Sequence, residues 1–197
     1  MVEYLFTSPL KESDVRKLRV RDIVYVSGNV FTARDEAHHR ALKWAEDGKK
    51  LPINLTGLPM YHCGPLARKD DGTWNIISAG PTTSSRMELY ESDFIKQFEI
   101  PMIVGKGGMG QRTTEAMMNH GAVYAAFPGG TGALAAQSII GVEKVFWLDL
   151  GMPEALWYLR VEHFGPLTIA IDSHGNNLYD SLYEEFKVNI AELKQKM

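Results

Sequence analysis

Two short loops hold most of the residues that could do chemistry. Gly80-Pro81-Thr82-Thr83-Ser84-Ser85-Arg86-Met87 carries four consecutive hydroxyls and an arginine. Gly105-Lys106-Gly107-Gly108-Met109-Gly110 sets a lysine among four glycines. Each loop follows an apolar run of strand character and leads into a segment of helix character. That placement offers backbone N–H groups at a helix N-terminus together with a cation, which suits an anion. The expected chemistry is the holding, and deprotonation, of a small carboxylic acid or phosphate. One hydroxyl is enough to cap a helix, and four exceed that need. Arg86 stands in the first turn of the expected helix, where the dipole prefers acids, and a residue placed against its local preference often serves a site. Lys106 has little to pack against. Arg34-Asp35, at the head of another expected helix, adds a guanidinium able to clamp a carboxylate with two parallel hydrogen bonds.

Other patterns fall short of their chemistry. The second loop satisfies GxGxxG, but a dinucleotide site also needs an acid near the end of the next strand, about 20 residues on. That region is Phe127-Pro128-Gly129-Gly130-Thr131-Gly132, and the next carboxylate is Glu143. No GxxxxGK followed by Ser or Thr exists, which excludes a P-loop. The third glycine loop, Pro128 to Gly132, resembles the PGGxGT loop of nucleotide hydrolases similar to lysine decarboxylases. The glutamate that follows in that family is absent, since Ala133 to Ala136 hold no acid. His38 and His39 diverge by about 100° on a helix and cannot chelate one metal together. His62 and Cys63 point to opposite faces of a strand. There is no HExxH, so the histidines read as structural or solvated.

These loops need a scaffold. Val2 to Phe6 and Ile23 to Val30 read as strands, with a helical turn over Asp14 to Leu18 between them. A helix is expected from Thr32-Ala33-Arg34-Asp35 to Asp47, ended by Gly48. Pro59 to Cys63 reads as a strand, residues 66–73 as charged and turn-like, and Asp71-Gly72 as a hairpin tip. Thereafter strands are expected at Trp74–Ala79, Met102–Gly105, Val123–Phe127, Lys144–Leu148 and Leu167–Ile171. Helices are expected at Ser85–Phe98, Gln111–His120 (stopped by Gly121), Gly132–Ile140 and Tyr179–Lys196. This alternation predicts βαβ units, a largely parallel sheet and a ligand at the carboxyl ends of its strands. The fold class is α/β, β-rich at first and alternating after residue 74, with residues 1–197 as one domain.

Composition narrows the partners. A chain of 197 residues with a net charge of −3 has no basic excess for nucleic acid. No run approaches the ~18 apolar residues of a membrane span, and the N-terminus shows no secretion signal. Cys63 is the single cysteine, which excludes an intrachain disulfide and fits a cytoplasmic location. One thiol cannot hold an iron–sulfur cluster, which takes three or four.

Taken together, the segments resemble the β subunit, or C-terminal domain, of class I fumarate hydratases, the iron–sulfur hydro-lyases that include L-tartrate dehydratase. The resemblance rests on Thr32 to His38, Gly64-Pro65, Ala79 to Met87 and Gly105 to Met109. It continues through Trp147-Leu148-Asp149-Leu150-Gly151-Met152-Pro153-Glu154-Ala155 and Asp172-Ser173-His174-Gly175-Asn176. It implies a swivelling β/β/α domain and a hetero-oligomer in which an α subunit carries a 4Fe–4S cluster. The expected reaction is reversible hydration of fumarate to L-malate, with L-tartrate dehydration as the alternative. By the same resemblance Arg34, Arg86 and Lys106 contact the carboxylates of a small dicarboxylate, and Thr82 takes the proton. Cys63 is expected to be a structural thiol. A nucleotide- or phosphate-binding module and a phosphoribohydrolase-like enzyme stay open as rival readings of the three glycine loops.

Overall fold

The apolar runs become strands, and the last and longest of them decides the shape of the sheet. The computed structural model describes residues 2–195. In chain order the elements are β1 (Glu3–Thr7), α1 (Glu12–Val15), β2 (Ile23–Thr32), α2 (Asp35–Glu46), β3 (Met60–Tyr61), β4 (Leu66–Asp70) and β5 (Thr73–Ser78). Next come a 3-10 turn at Ser84–Met87, α3 (Glu88–Phe98), β6 (Met102–Gly105), α4 (Gln111–His120), β7 (Val123–Ala126) and α5 (Gly132–Gln137). The chain ends with β8 (Ile139–Phe146), β9 (Leu156–Ile171) and α6 (Leu178–Gln195). The expected closing helix therefore starts one residue early, and Lys196 lies outside the described residues.

Seven strands form one sheet in the order β1-β2-β3-β6-β7-β9-β8, and β9 also pairs with β2. The strands from β1 to β7 in that order run parallel, as the βαβ alternation predicts. β9 is antiparallel to β2, β7 and β8. Its Thr168 faces Ile23 on one side and Ala126 on the other, so the strands β2, β3, β6, β7 and β9 close into a ring. The sequence showed only the end of β9, because Gly165-Pro166 reads as a turn. In the fold this pair sits where the β2–β9 register slips by one residue, a bulge that tolerates a proline.

Two further expectations are corrected. The strand from Trp74 does not join the main sheet, and residues 66–70 are not a turn. They pair as the antiparallel hairpin β4–β5 around Asp71 and Gly72, whose φ values of 47° and 84° are those of a two-residue hairpin turn. The helix expected to run to Ile140 stops at Gln137, and Ile139 already belongs to β8.

Apolar side chains fill both faces of the sheet. Val24, Val26, Val104, Val161 and Leu167 pack on the side covered by the hairpin, where Trp74 meets Trp157 edge-on at 5.2 Å. Phe31, Met60 and Ile103 pack on the other side against Ala37 of α2, Phe94 of α3 and Met117 of α4. Hairpin, sheet and helices thus make three layers. No described helix is long and apolar enough to cross a membrane.

Candidate active site at the strand ends

The loop from Pro81 to Ser84 is laid across the carboxyl ends of β3 and β6 as an extra rung. Cys63 bridges Pro81, and the Thr82 N–H donates to the His62 carbonyl at 2.7 Å. The Lys106 N–H donates to the Thr82 carbonyl at 3.4 Å, and the Ser84 N–H to the Lys106 carbonyl at 3.0 Å. Backbone pairing, rather than side-chain attraction, therefore brings Thr82 beside Lys106. The Arg86 Nη2 donates to Thr82 Oγ1 at 3.1 Å and pairs with Asp35 at 3.0 Å. Lys106 is half-buried, and its stem lies about 3.6 Å from where a Gly129 side chain would begin. So Lys106 does pack, over the third glycine loop, contrary to expectation. That loop has a packing role as well, because Gly132 lies against Gly80 and accepts the Ala79 N–H at 2.9 Å.

Arg34 is the residue just ahead of α2. Its Nε forms an ion pair with Glu154 Oε1 at 3.0 Å, and its guanidinium covers Gly64, where a side chain would also strike Pro153. Glu154 Oε2 accepts the Glu36 N–H at 3.1 Å, so one carboxylate serves both Arg34 and the start of α2. The structure thus joins Thr82 to Arg86 by a side-chain hydrogen bond and to Lys106 by backbone pairing, and it ties the start of α2 to Arg86 through Asp35. Arg34 itself turns to Glu154, a partner supplied by the Trp147–Ala155 segment.

The expectation of free helix N-termini is overturned. Glu88, the first residue of α3, accepts the Gly110 N–H at 2.6 Å, the Thr113 N–H at 3.3 Å and the Thr113 hydroxyl at 2.8 Å. An internal carboxylate already fills the place an anion would take at α4. Arg86 does not oppose a helix dipole either, because it lies in the 3-10 turn and α3 begins with the acids Glu88 and Glu91. The positive character of the site therefore comes from side chains. The main surface clefts, one lined by Gly57, Ile95 and His120 and another by Lys50, Ile53 and Phe98, contain none of these residues. Arg86 is exposed and Thr82 and Lys106 are half-buried, so the candidate site is open to solvent.

Beneath it lies a polar layer that local sequence patterns did not reveal. His38, His62, Ser84 and Glu91 are fully buried. Glu91 Oε2 lies 3.0 Å from His62 Nε2 and 3.5 Å from His38 Nε2. Burial alone would raise the Glu91 carboxyl, but the two imidazoles outweigh it and hold it down at about 2. Burial also disfavours charge on His38, yet the Glu91 carboxylate, the Arg34 carbonyl and Asp35 together raise it above 6.5. On His62 burial wins, helped by His38, and it is lowered. Each histidine had read singly as structural or solvated. A buried carboxylate in a helical segment looks like any other helical glutamate, so nothing local flagged Glu91. Cys63 is buried too, and burial pushes its thiol upward against the pull of Arg34. One inaccessible, protonated thiol does not fit the ligand set of an iron–sulfur cluster.

Comparison with known proteins gives the family. A family model described as Fumarase C-terminus matches residues 4–182. The putative L(+)-tartrate dehydratase subunit beta of Methanocaldococcus jannaschii is 46% identical over 193 residues, covering 98% of each chain. The L(+)-tartrate dehydratase subunit beta of Escherichia coli K12 is 44% identical over 174 residues, 88% of this chain and 85% of that one. A putative fumarate hydratase class I of Geobacillus stearothermophilus is 40% identical over 189 residues, 95% of this chain but 36% of that longer protein. A match over most of the chain, with relatives of similar length, places this protein in the fumarase C-terminus family, beside the beta subunits of L(+)-tartrate dehydratases.

Proposed function

We propose that residues 1–197 act as one unit, the β subunit of a cytoplasmic two-subunit hydro-lyase that removes water from a hydroxylated four-carbon dicarboxylate. The observation that carries this reading is the rung at the strand ends, where Arg86 donates to Thr82 Oγ1 at 3.1 Å and the Lys106 backbone pairs with the same loop. Lys106, Arg86 and, on leaving Glu154, Arg34 bind the two carboxylates. Thr82 takes the proton from the carbon next to one of them, hydroxide leaves the neighbouring carbon as the C=C bond forms, and return of the proton from Thr82 to that hydroxide gives one water and restores the base. A threonine hydroxyl is a weak base. The N–H that Arg86 donates to its oxygen favours the alkoxide, and the cations favour the charge that builds on the substrate carboxylate. The iron–sulfur cluster of the family is assigned to the α subunit, since this chain offers no ligands for it.

L-Tartrate is the first substrate to test, because the relatives of similar length carry that name. Fumarate and L-malate are the second, supported by the Geobacillus relative. The test is co-production with the α subunit and assay on both substrates. Thr82→Ala and Lys106→Met are each expected to lower kcat at least ~100-fold with cluster content unchanged. Near-normal turnover in either variant overturns its assigned role, and turnover by the isolated chain overturns the two-subunit reading.

A further inference from the structure

The contacts of the buried layer under the site favour one arrangement of its protons. His38 Nδ1 lies 2.7 Å from the Arg34 carbonyl, which can only accept, so this nitrogen carries a proton. His38 Nε2 faces Glu91, whose two oxygens have no aligned hydrogen-bond donor among the described residues. Glu91 lies 3.0 Å from His62 Nε2 and 3.5 Å from His38 Nε2 without hydrogen-bond geometry, so the carboxylate is held mainly by charge, and His38, whose Nδ1 is already protonated, is the doubly protonated, positive partner. A second positive imidazole in this fully buried place would have no counter-charge of its own, since the nearby Asp35 already pairs with Arg86, so His62 is neutral, with its proton on the Nε2 that faces Glu91. Its Nδ1 then accepts from the Ser84 hydroxyl at 2.9 Å, and Ser84 in turn accepts from the Tyr124 hydroxyl at 2.9 Å.

A metal held by both Nε2 atoms and the carboxylate, which lie within 4.8 Å of one another, needs the opposite tautomer of His62. Nδ1 would then donate to Ser84, and the last hydroxyl proton of the Ser84–Tyr124 pair would have no acceptor among the described residues. The other titratable or charged groups around the cluster are Arg34 and Asp35 at the start of α2, Tyr90 on α3, and Tyr124 on β7. They leave the single positive charge on His38.

The two ends of this chain are both parts of the candidate site. We infer that His38, Glu91 and His62 are its positioning residues: a buried imidazolium–carboxylate–imidazole chain, running from the Arg34 carbonyl to the Ser84 hydroxyl, fixes the Thr82–Arg86 segment against the start of α2. The arrangement itself stands on geometry alone, and its effect on turnover rests on the function proposed above. Neither imidazole nor the carboxylate touches substrate. Their work is to set the spacing between two loops that belong to different elements.

The first test reads protons without any assay. In the full chain with nitrogen-15 histidine at pH 7.0, the signals of the two buried rings, among those of six histidines, are expected to be one doubly protonated imidazole, removed by His38→Gln, and one neutral Nε2–H imidazole, removed by His62→Gln. Glu91→Gln is expected to discharge the first. Two neutral rings, two charged rings, or a stoichiometric metal lost in Glu91→Gln would overturn the assignment. The second test uses the assembled enzyme and Ser84→Ala, which cuts the chain while leaving the ion pair. Its kcat should fall ~10- to 100-fold, with KM within about threefold and an unfolding midpoint near wild type, because a small misplacement of reacting groups carries such a cost. Glu91→Asp should retain more turnover than Glu91→Gln. Unchanged kcat in Ser84→Ala, in an enzyme that Thr82→Ala inactivates, overturns the positioning role alone. Unchanged kcat in Thr82→Ala overturns the function and leaves the proton assignment to the first test.

Discussion

At Gly105 the backbone of β6 gives up its side chain to make room for chemistry next door. A methyl group there would collide with Ser84 Oγ and lie 3.1 Å from the Tyr124 hydroxyl and 3.2 Å from His62 Nδ1. Gly105→Ala is therefore expected to cost about 1–3 kcal/mol, the usual penalty for overfilling a packed site. A urea midpoint unchanged from wild type would contradict it. This glycine was singled out in the sequence for cradling an anion, whereas the groups it admits are a serine, a tyrosine and a histidine. Thr82, Arg86 and Lys106 were legible because they stand in loops whose glycines and hydroxyls mark strand ends. Glu91 and Glu154 were not, because their meaning comes from partners on distant elements. His38 reaches Glu91 only after α2 packs on α3, and Glu154 reaches Arg34 only after the chain has passed along β8.

Among the elements, α3 and α4 are fastened by one residue. Glu88 opens α3 and caps α4 through the Gly110 and Thr113 amides, satisfying donors that a helix start leaves unpaired. Glu88→Ala is expected to lower stability by about 0.5–2 kcal/mol, the range for losing an N-terminal cap. Thermal unfolding of the full chain measures it, and a midpoint equal to wild type would show that solvent replaces the cap at no cost. Local signals served the elements well where their ends were chemically marked. β6 and α4 have the bounds expected of them, with Gly121 at a φ of 68° ending α4. The Asp71-Gly72 tip was likewise readable. Whether a strand joins the main sheet or a hairpin beside it depends on neighbours, so β5 was misplaced.

Across the whole molecule, the second glycine loop is braced from the far end of the chain. Tyr179 packs on Gly108, and Asn177 Nδ2 donates to the Met109 carbonyl at 3.2 Å. The turn before them is wound around Asp172, whose carboxylate accepts from the His174 and Asn176 amides at 3.0 and 3.1 Å. This gives the resembling Asp172–Asn176 segment a structural purpose. α6 beyond it shows Tyr183, Phe186 and Ile190 to solvent. A chain cut after Pro153 would lack β9, and with it every antiparallel partner of β2, β7 and β8. Such a fragment is expected to show no cooperative urea transition, since its sheet cannot close and β8 has no strand to pair with. A sharp transition at the full chain's midpoint would contradict this.

The lateness of β9 also bears on biosynthesis. Arg34, Thr82, Arg86 and Lys106 all leave the ribosome well before Leu156, while the strand that seals the ring is still inside it. Long-range closure of this kind is slow, and unpaired edges invite aggregation while it is pending. Expression should therefore gain more from slowing synthesis or lowering temperature than from stabilising any early helix. The newborn polypeptide holds every candidate site residue in hand before it has a barrel to mount them on.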